Sequence, residues 1–216
     1  MSGSRGFFYD DCRSGDRLAR EYTLVNESGN FTTVQYYDAP FNTYQLSDST
    51  GGTRSCELIL MSMTPSGEFE VYFKFKKLAS VLPNAGLVHL NYARRSSTER
   101  YYFSMSDNVY CYRVTAAGGF GTYYTYAALT NDVWYEFRIR LLNTKIMAKW
   151  WLLGTAEPNW IIDSNGTGSG GTERPMRHKR PPGSGNFALG MLSYAVTNYL
   201  RYRDIRITPV RKVGGL

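Results

Sequence analysis

The stretch Glu68-Phe69-Glu70-Val71-Tyr72-Phe73-Lys74-Phe75-Lys76-Lys77 decides the fold. Phe69, Val71, Phe73 and Phe75 fall on every second position, with Glu68, Glu70, Tyr72, Lys74 and Lys76 between them. Side chains of an extended backbone point alternately to two faces, so this segment reads as a strand with one face in a core and the other in water. Val133 to Leu142 repeats the pattern: Val133, Tyr135, Phe137, Ile139 and Leu141 share a face, and Trp134, Glu136, Arg138 and Arg140 the opposite one. Asn143-Thr144 then reads as a turn into Lys145 to Leu153, where Ile146, Ala148, Trp150 and Leu152 share a face. Two amphipathic strands joined this tightly form a hairpin. Phe73, Phe137, Ile139 and Trp150 are the expected centre of the core.

Further strands are expected over Cys56 to Met63, Ala85 to Ala93, Arg100 to Met105, Val109 to Thr115, Tyr123 to Leu129, Phe187 to Tyr194 and Leu200 to Thr208. Their β-branched and aromatic content, with Gly, Asn, Asp and Ser in the gaps, predicts an all-β antiparallel two-sheet sandwich. Asp16 to Val25 reads as a helix capped by Asp16 or as another strand. The 216 residues fit a single domain, residues 1–216, with no internal repeat.

Composition narrows the class. With 18 Tyr, 11 Phe and 4 Trp the chain can bury a sizeable core, which excludes intrinsic disorder. No apolar run approaches the roughly 20 residues of a membrane-spanning helix. The opening residues lack the apolar stretch of a secretory signal, so synthesis in the cytoplasm and no membrane partner are expected. Cys12, Cys56 and Cys111 form no CxxC pair and have only His89 and His178 to help them, so buried free thiols are expected rather than zinc or disulfides. The sequons at Asn26, Asn30 and Asn165 read as chance matches without an export signal.

The net charge of +7 is unevenly spread. Residues 163–186 read as a long Gly/Ser-rich loop that carries Arg174, Arg177, Lys179 and Arg180. Residues 209–216 form a tail with Arg211 and Lys212, and residues 1–8 an arm ending in Phe7 and Phe8. These segments are the expected partner contacts, the charges meeting an acidic surface and the rings a partner groove. No aromatics interleave the loop charges, so sequence-specific nucleic-acid reading is not expected.

Several segments, in order, resemble the concanavalin A-like (laminin-G-like) jelly-roll module. They are Phe8-Tyr9-Asp10-Asp11, Glu68 to Phe75, Gly86-Leu87-Val88, Tyr101-Tyr102-Phe103, Val109 to Tyr112 and Trp134 to Ile139. Ile146 to Trp150 followed by Gly154-Thr155-Ala156-Glu157-Pro158-Asn159-Trp160 is the most specific, and Tyr202 to Ile207 closes the set. The resemblance implies a jelly roll over nearly the whole chain. It also implies a structural calcium where the opening acidic segment meets the last strand, at Asp10, Asp11 and Asp204, calcium being the one cofactor implied; pairing of Asp204 with Arg203 or Arg206 is the alternative.

Enzymes on this fold carry carboxylates two apart along one strand, in an E.D..E arrangement that this chain lacks. Glu68 and Glu70 share a face with Lys74 and Lys76 and read as a salt-bridged surface, so no catalytic residue is expected. For sugar recognition, Tyr102, Tyr110, Tyr112, Tyr124 and Tyr126 form either a stacking platform on one sheet or core rings. Similar jelly rolls occur in phage capsid-decoration, tail and fibre proteins. The expectation is therefore a non-enzymatic virion protein, made in the host cytoplasm, contacting other virion proteins or identical subunits and offering a face to host-surface glycans. The alternative is a free-standing carbohydrate-binding module or lectin, placed outside the cell.

Overall fold

A computed structural model of the chain describes residues 8–13, 15–26, 31–48, 54–60, 68–78, 85–92, 100–105, 109–114, 120–126, 129–142, 146–163, 186–193 and 198–210. They form two antiparallel sheets packed face to face. The first holds β1 (Phe8–Asp10), β3 (Phe31–Asp38), β4 (Phe41–Asp48), β6 (Phe69–Lys77), β11 (Trp134–Leu141), β12 (Ile146–Leu152), β13 (Ile162–Asp163) and β15 (Asn198–Pro209). The second holds β2 (Tyr22–Asn26), β5 (Arg54–Leu60), β7 (Ala85–Tyr92), β8 (Arg100–Met105), β9 (Val109–Val114), β10 (Phe120–Tyr126) and β14 (Asn186–Ser193). Spatial order in the first sheet is β13-β12-β11-β6-β15-β4-β3, with β1 also paired to β15; in the second it is β10-β9-β8-β7-β14-β5-β2.

The alternation read from the sequence is what builds this core. Phe69, Val71, Phe73 and Phe75 are buried on β6, and Phe137, Ile139 and Leu141 on β11. Phe73 stacks on Phe137 at 5.2 Å between centroids, and Phe137 on Trp150 at 6.0 Å, joining β6, β11 and β12. Tyr202 of β15 continues the series, 5.3 Å from Phe75, and its hydroxyl donates to the carbonyl of Gly190 in the opposite sheet at 2.7 Å. Close approach of the sheets requires Gly86, because a Cβ there would lie 2.5 Å from Phe75 Cε2.

Asp16 to Val25 resolves into both expected forms: α1 (Gly15–Glu21), which buries Leu18, and then β2. Strands β3 and β4, joined through Ala39-Pro40, were not anticipated. Only Phe31 of β3 is buried, and β4 buries residues on both faces, so neither shows an apolar period of two. Expected core residue Leu152 is 44% exposed. It ends β12 where the backbone turns, Thr155 N–H donating to its carbonyl and Gly154 taking a φ of +88°, so no opposite sheet covers it. Cys12 and Cys56 are buried free thiols, as expected; the side chain of Cys111 lies outside the described residues.

Phe8 is no free arm. Its ring is buried edge-on against Tyr22 at 6.3 Å, with the Arg17 guanidinium 5.4 Å from its centroid, so the core takes it rather than a partner groove. Phe7, Arg174, Arg177, Lys179, Arg180, Arg211 and Lys212 lie outside the described residues. Among the described residues no helix is long and apolar enough to cross a membrane.

Truncating a buried aromatic costs about 3 to 5 kcal/mol. Phe137→Ala, which breaks the stack on both sides, should lose that much in urea unfolding monitored by tryptophan fluorescence.

Candidate ligand-binding face

The inward rings of the first sheet fix what its outer face presents. Strand pairing sets Lys149 beside Arg138, Arg138 beside Tyr72, Tyr72 beside Arg206 and Arg206 beside Tyr9, a row of cations and rings across five strands. On one side runs the row Trp151, Glu136, Lys74, Arg203; on the other run Arg140, Glu70 and Thr208. Arg206 reaches this face through a bulge. Between Arg203 and Arg206, β15 carries one residue more than β6, and Asp204 takes a left-handed φ of 51°. An extra residue exchanges the two faces of a strand. Inward positions therefore pass from Leu200 and Tyr202 to Ile205 and Ile207, and Arg206 turns outward.

The charges interlock. Tyr72 O–H donates to Glu136 Oε1 at 2.7 Å, and Lys74 Nζ lies 2.8 Å from Asp204 and 3.7 Å from Glu136. Glu70 pairs with Arg138 and Arg140. Glu157 pairs with Arg138 at 2.9 Å and Lys149 at 2.6 Å. This is the salt-bridged surface expected around Glu70 and Lys74. Rings lie under the cations: Trp160 is 4.5 Å from Lys149 Nζ and 4.9 Å from the Arg140 guanidinium, and Arg206 sits 5.0 Å from Tyr9 and 5.2 Å from Tyr72. Tyr9, Tyr72, Trp151, Arg138, Arg206 and the three glutamates, with Thr208, enclose a cleft of about 570 Å³.

Burial, and then the bond to Glu136, hold the Tyr72 phenol well above its ordinary range, so it stays a donor. For Glu157 the hydrogen bond from Lys149 outweighs burial, and the charges of Arg138, Lys149 and Arg140 add to it, so its carboxyl titrates below the ordinary glutamate range. A catalytic acid needs the opposite shift.

The expected sites fare differently. Asp10, Asp11 and Asp204 do not form a calcium cage. Asp10 is fully buried, its Oδ1 accepting from Cys12 N–H at 2.8 Å and its Oδ2 from Tyr44 O–H at 2.8 Å. Asp11 and Asp204 do line one pocket of about 240 Å³, but Arg13 and Arg203 line it too, pairing with them at 3.1 and 3.2 Å. Two guanidiniums beside the carboxylates repel a divalent cation, and the described residues contain no group of three or more acidic, His or Cys side chains placed to hold a metal ion. The alternative, pairing of Asp204 with Arg203, is what forms.

In the second sheet Tyr102 sits opposite Tyr112, Tyr110 opposite Ser104 and Thr125, Tyr124 opposite Cys111 and Tyr126 opposite Val109. The side chains of these five tyrosines lie outside the described residues. Tyr9, Tyr72, Trp151 and Arg206 were not anticipated as a site. The signal available was aromatic residues at outward positions, where water would favour polar ones.

No protein-family model matches the sequence, and no curated protein matches it. Solved structures do share the architecture. A Bacillus subtilis protein of unknown function with a galectin-like fold has a TM-score of 0.62 at 11% identity, over 95% of this chain and 96% of that one. The exoplasmic/lumenal domain of VIP36, in its Ca2+/Man3GlcNAc-bound form, has a TM-score of 0.65 at 8% identity, over 98% and 91%. The chain has a concanavalin A-like jelly-roll fold. The carbohydrate-binding module CBM66 from Bacillus subtilis is also similar, with a TM-score of 0.57 at 11% identity, over 88% of this chain and 97% of that one. At these identities the likeness concerns the fold.

A carboxyl whose folded pKa is depressed stabilises the fold above its unfolded pKa, near ~4.3 for Glu, and loses that contribution as pH falls through the folded value. Wild type should therefore exceed Glu157→Gln in stability at pH 7, with the gap closing below roughly pH 4 in a pH series of urea titrations.

Proposed function

We propose that the chain is a non-catalytic carbohydrate-binding module whose ligand lies on the outer face of the first sheet, in the cleft around Tyr72. The observation that carries this reading is the row of rings and fixed hydrogen-bonding groups in one depression. Sugars present apolar ring faces, which stack on aromatic side chains, and hydroxyls, which need donors and acceptors already in place. Tyr9 supplies an exposed ring beside the largely buried Trp151, and Glu70, Glu136, Glu157 and Arg138, locked by one another, supply the polar groups.

The similar structures support it: one is named a carbohydrate-binding module and another is described with a bound oligosaccharide. The absence of catalysis is argued from the carboxylates. Glu70 and Glu157 each pair with two cations, and Glu136 engages Lys74 and Tyr72, so none is poised to release a proton to a leaving group.

A glycan array followed by calorimetry tests the assignment. Tyr9→Ala should weaken the best ligand by about tenfold, on the scale of roughly 1 kcal/mol or more for an aromatic contact, with an unchanged melting temperature. Tyr110→Ala and Tyr124→Ala should leave binding intact. Loss of binding in the second pair alone would move the site to the other sheet.

The virion setting is a separate proposal resting on Arg174, Arg177, Lys179, Arg180, Arg211 and Lys212. Replacing the four loop charges with Gln should weaken particle binding, the more so at low salt, where screening is least. Equal binding at every salt concentration would rule out the loop as anchor.

A further inference from the structure

Among the described residues of the outer face, nearly every cation is paired with a carboxylate. Lys74, Arg138, Arg140, Lys149 and Arg203 each pair with Glu70, Glu136, Glu157 or Asp204, and Lys76 and Arg201 both pair with Asp38. Arg206 is the exception. Its contacts are the rings of Tyr9 and Tyr72, and no carboxylate among the described residues meets it. It is exposed, and it lines the cleft.

We propose that the glycan bound here is acidic, carrying a carboxylate as a hexuronic acid does, and that Arg206 is the residue that reads it. This rests on the carbohydrate reading of the same cleft and narrows it to a substrate class. Rings attract a guanidinium through its flat face and take none of its N–H groups. Tyr9 and Tyr72 therefore hold Arg206 in place and leave its donors for a ligand. A planar fork of donors matches the two oxygens of a carboxylate in a bidentate pair, stronger and more directional than a bond to a neutral hydroxyl.

The surroundings suit such a ligand. Glu70, Glu136 and Glu157 would repel an anion if they stood alone, but each is answered by at least one cation, so the unmatched charge in the cleft is positive. Those glutamates keep acceptor capacity for the hydroxyls of the same sugar. Trp151, largely buried, also lines the cleft. A volume of about 570 Å³ falls within the range of roughly 300 to 1,000 Å³ usual for small-ligand sites.

The bulge in β15 serves this role directly. Without the extra residue, Arg206 would face the core and Ile205 the cleft, so the left-handed turn at Asp204 delivers the guanidinium to its two rings.

The test compares a galacturonic acid oligomer with its carboxyl-reduced counterpart, which keeps the ring and the linkage and loses only the charge. Calorimetry on the full chain should give wild type a preference of about tenfold or more for the acid, what a charge-assisted hydrogen bond of roughly 1.5 kcal/mol yields. Arg206→Gln should erase the preference with an unchanged melting temperature. Arg206→Lys should keep part of it, since a point charge replaces the fork. Equal binding of the two oligomers by wild type, or a preference that survives in Arg206→Gln, overturns the acidic-glycan assignment and leaves the carbohydrate site standing. Equal affinity for polyglutamate would also overturn it, as it would reduce the effect to bulk charge. Failure of wild type to bind any neutral or acidic glycan on an array overturns both readings.

Discussion

The stack of Phe73 on Phe137 on Trp150 is the contact on which the outer face depends. Aromatic rings on neighbouring strands meet only when the strands are in register, and a slip of one residue sends every side chain to the other face. The core thus fixes the register of β6, β11 and β12, and Tyr202 extends it to β15. The outward residues have no freedom left. Lys149, Arg138 and Tyr72 fall into one row because the rings beneath them do, the bulge in β15 adds Arg206 to that row, and a side chain lost from the core would misalign a cleft it never touches.

The outer charges have a different task. Exposed ion pairs contribute little to stability, and the pairs here range from half-buried to buried at Lys149. Their effect is on orientation. Glu157, held by Arg138 and Lys149, closes one side of the cleft, while the carbonyl of Pro158 accepts from Lys149 and fastens the segment that brings Trp160 over β12. On the other side the buried carboxylate of Asp10, bonded to Cys12 N–H and Tyr44 O–H, pins β1 so that Tyr9 stands beside Arg206. The acidic opening segment is thus a structural knot rather than a cation ligand.

Much of the sheet architecture is legible in the sequence because burial imposes a period on it. Alternation from Phe69 to Phe75 and from Tyr135 to Leu141 gives the two central strands and their inward faces. The edge strand β3 escapes because water, not a core, meets most of its residues, and a strand without a buried face has no period to read. The cleft escapes for another reason: its residues come from β1, β6, β11, β12, the segment after β12 and β15, and only pairing across strands and the ion pairs of Glu157 bring them together. One clue is present nonetheless. Apolar positions at Leu200 and Tyr202 give way to Ile205 and Ile207, a change from even to odd that betrays an inserted residue and turns Arg206 outward.

The position of β15 bears on how the chain acquires this face during synthesis. It follows every other described strand in sequence, yet in space it lies between β6 and β4 and also pairs with β1. Without it, the first sheet would divide into two pieces, β3 with β4 and β6 with β11, β12 and β13, each with an open edge toward the gap. Open edges recruit other strands, so nascent chains at this stage are exposed to mispairing with one another. Pairing of β15 joins the halves, fills both edges and brings Arg206 and Thr208 to the cleft, so the cleft is a property of the complete sheet and of neither half.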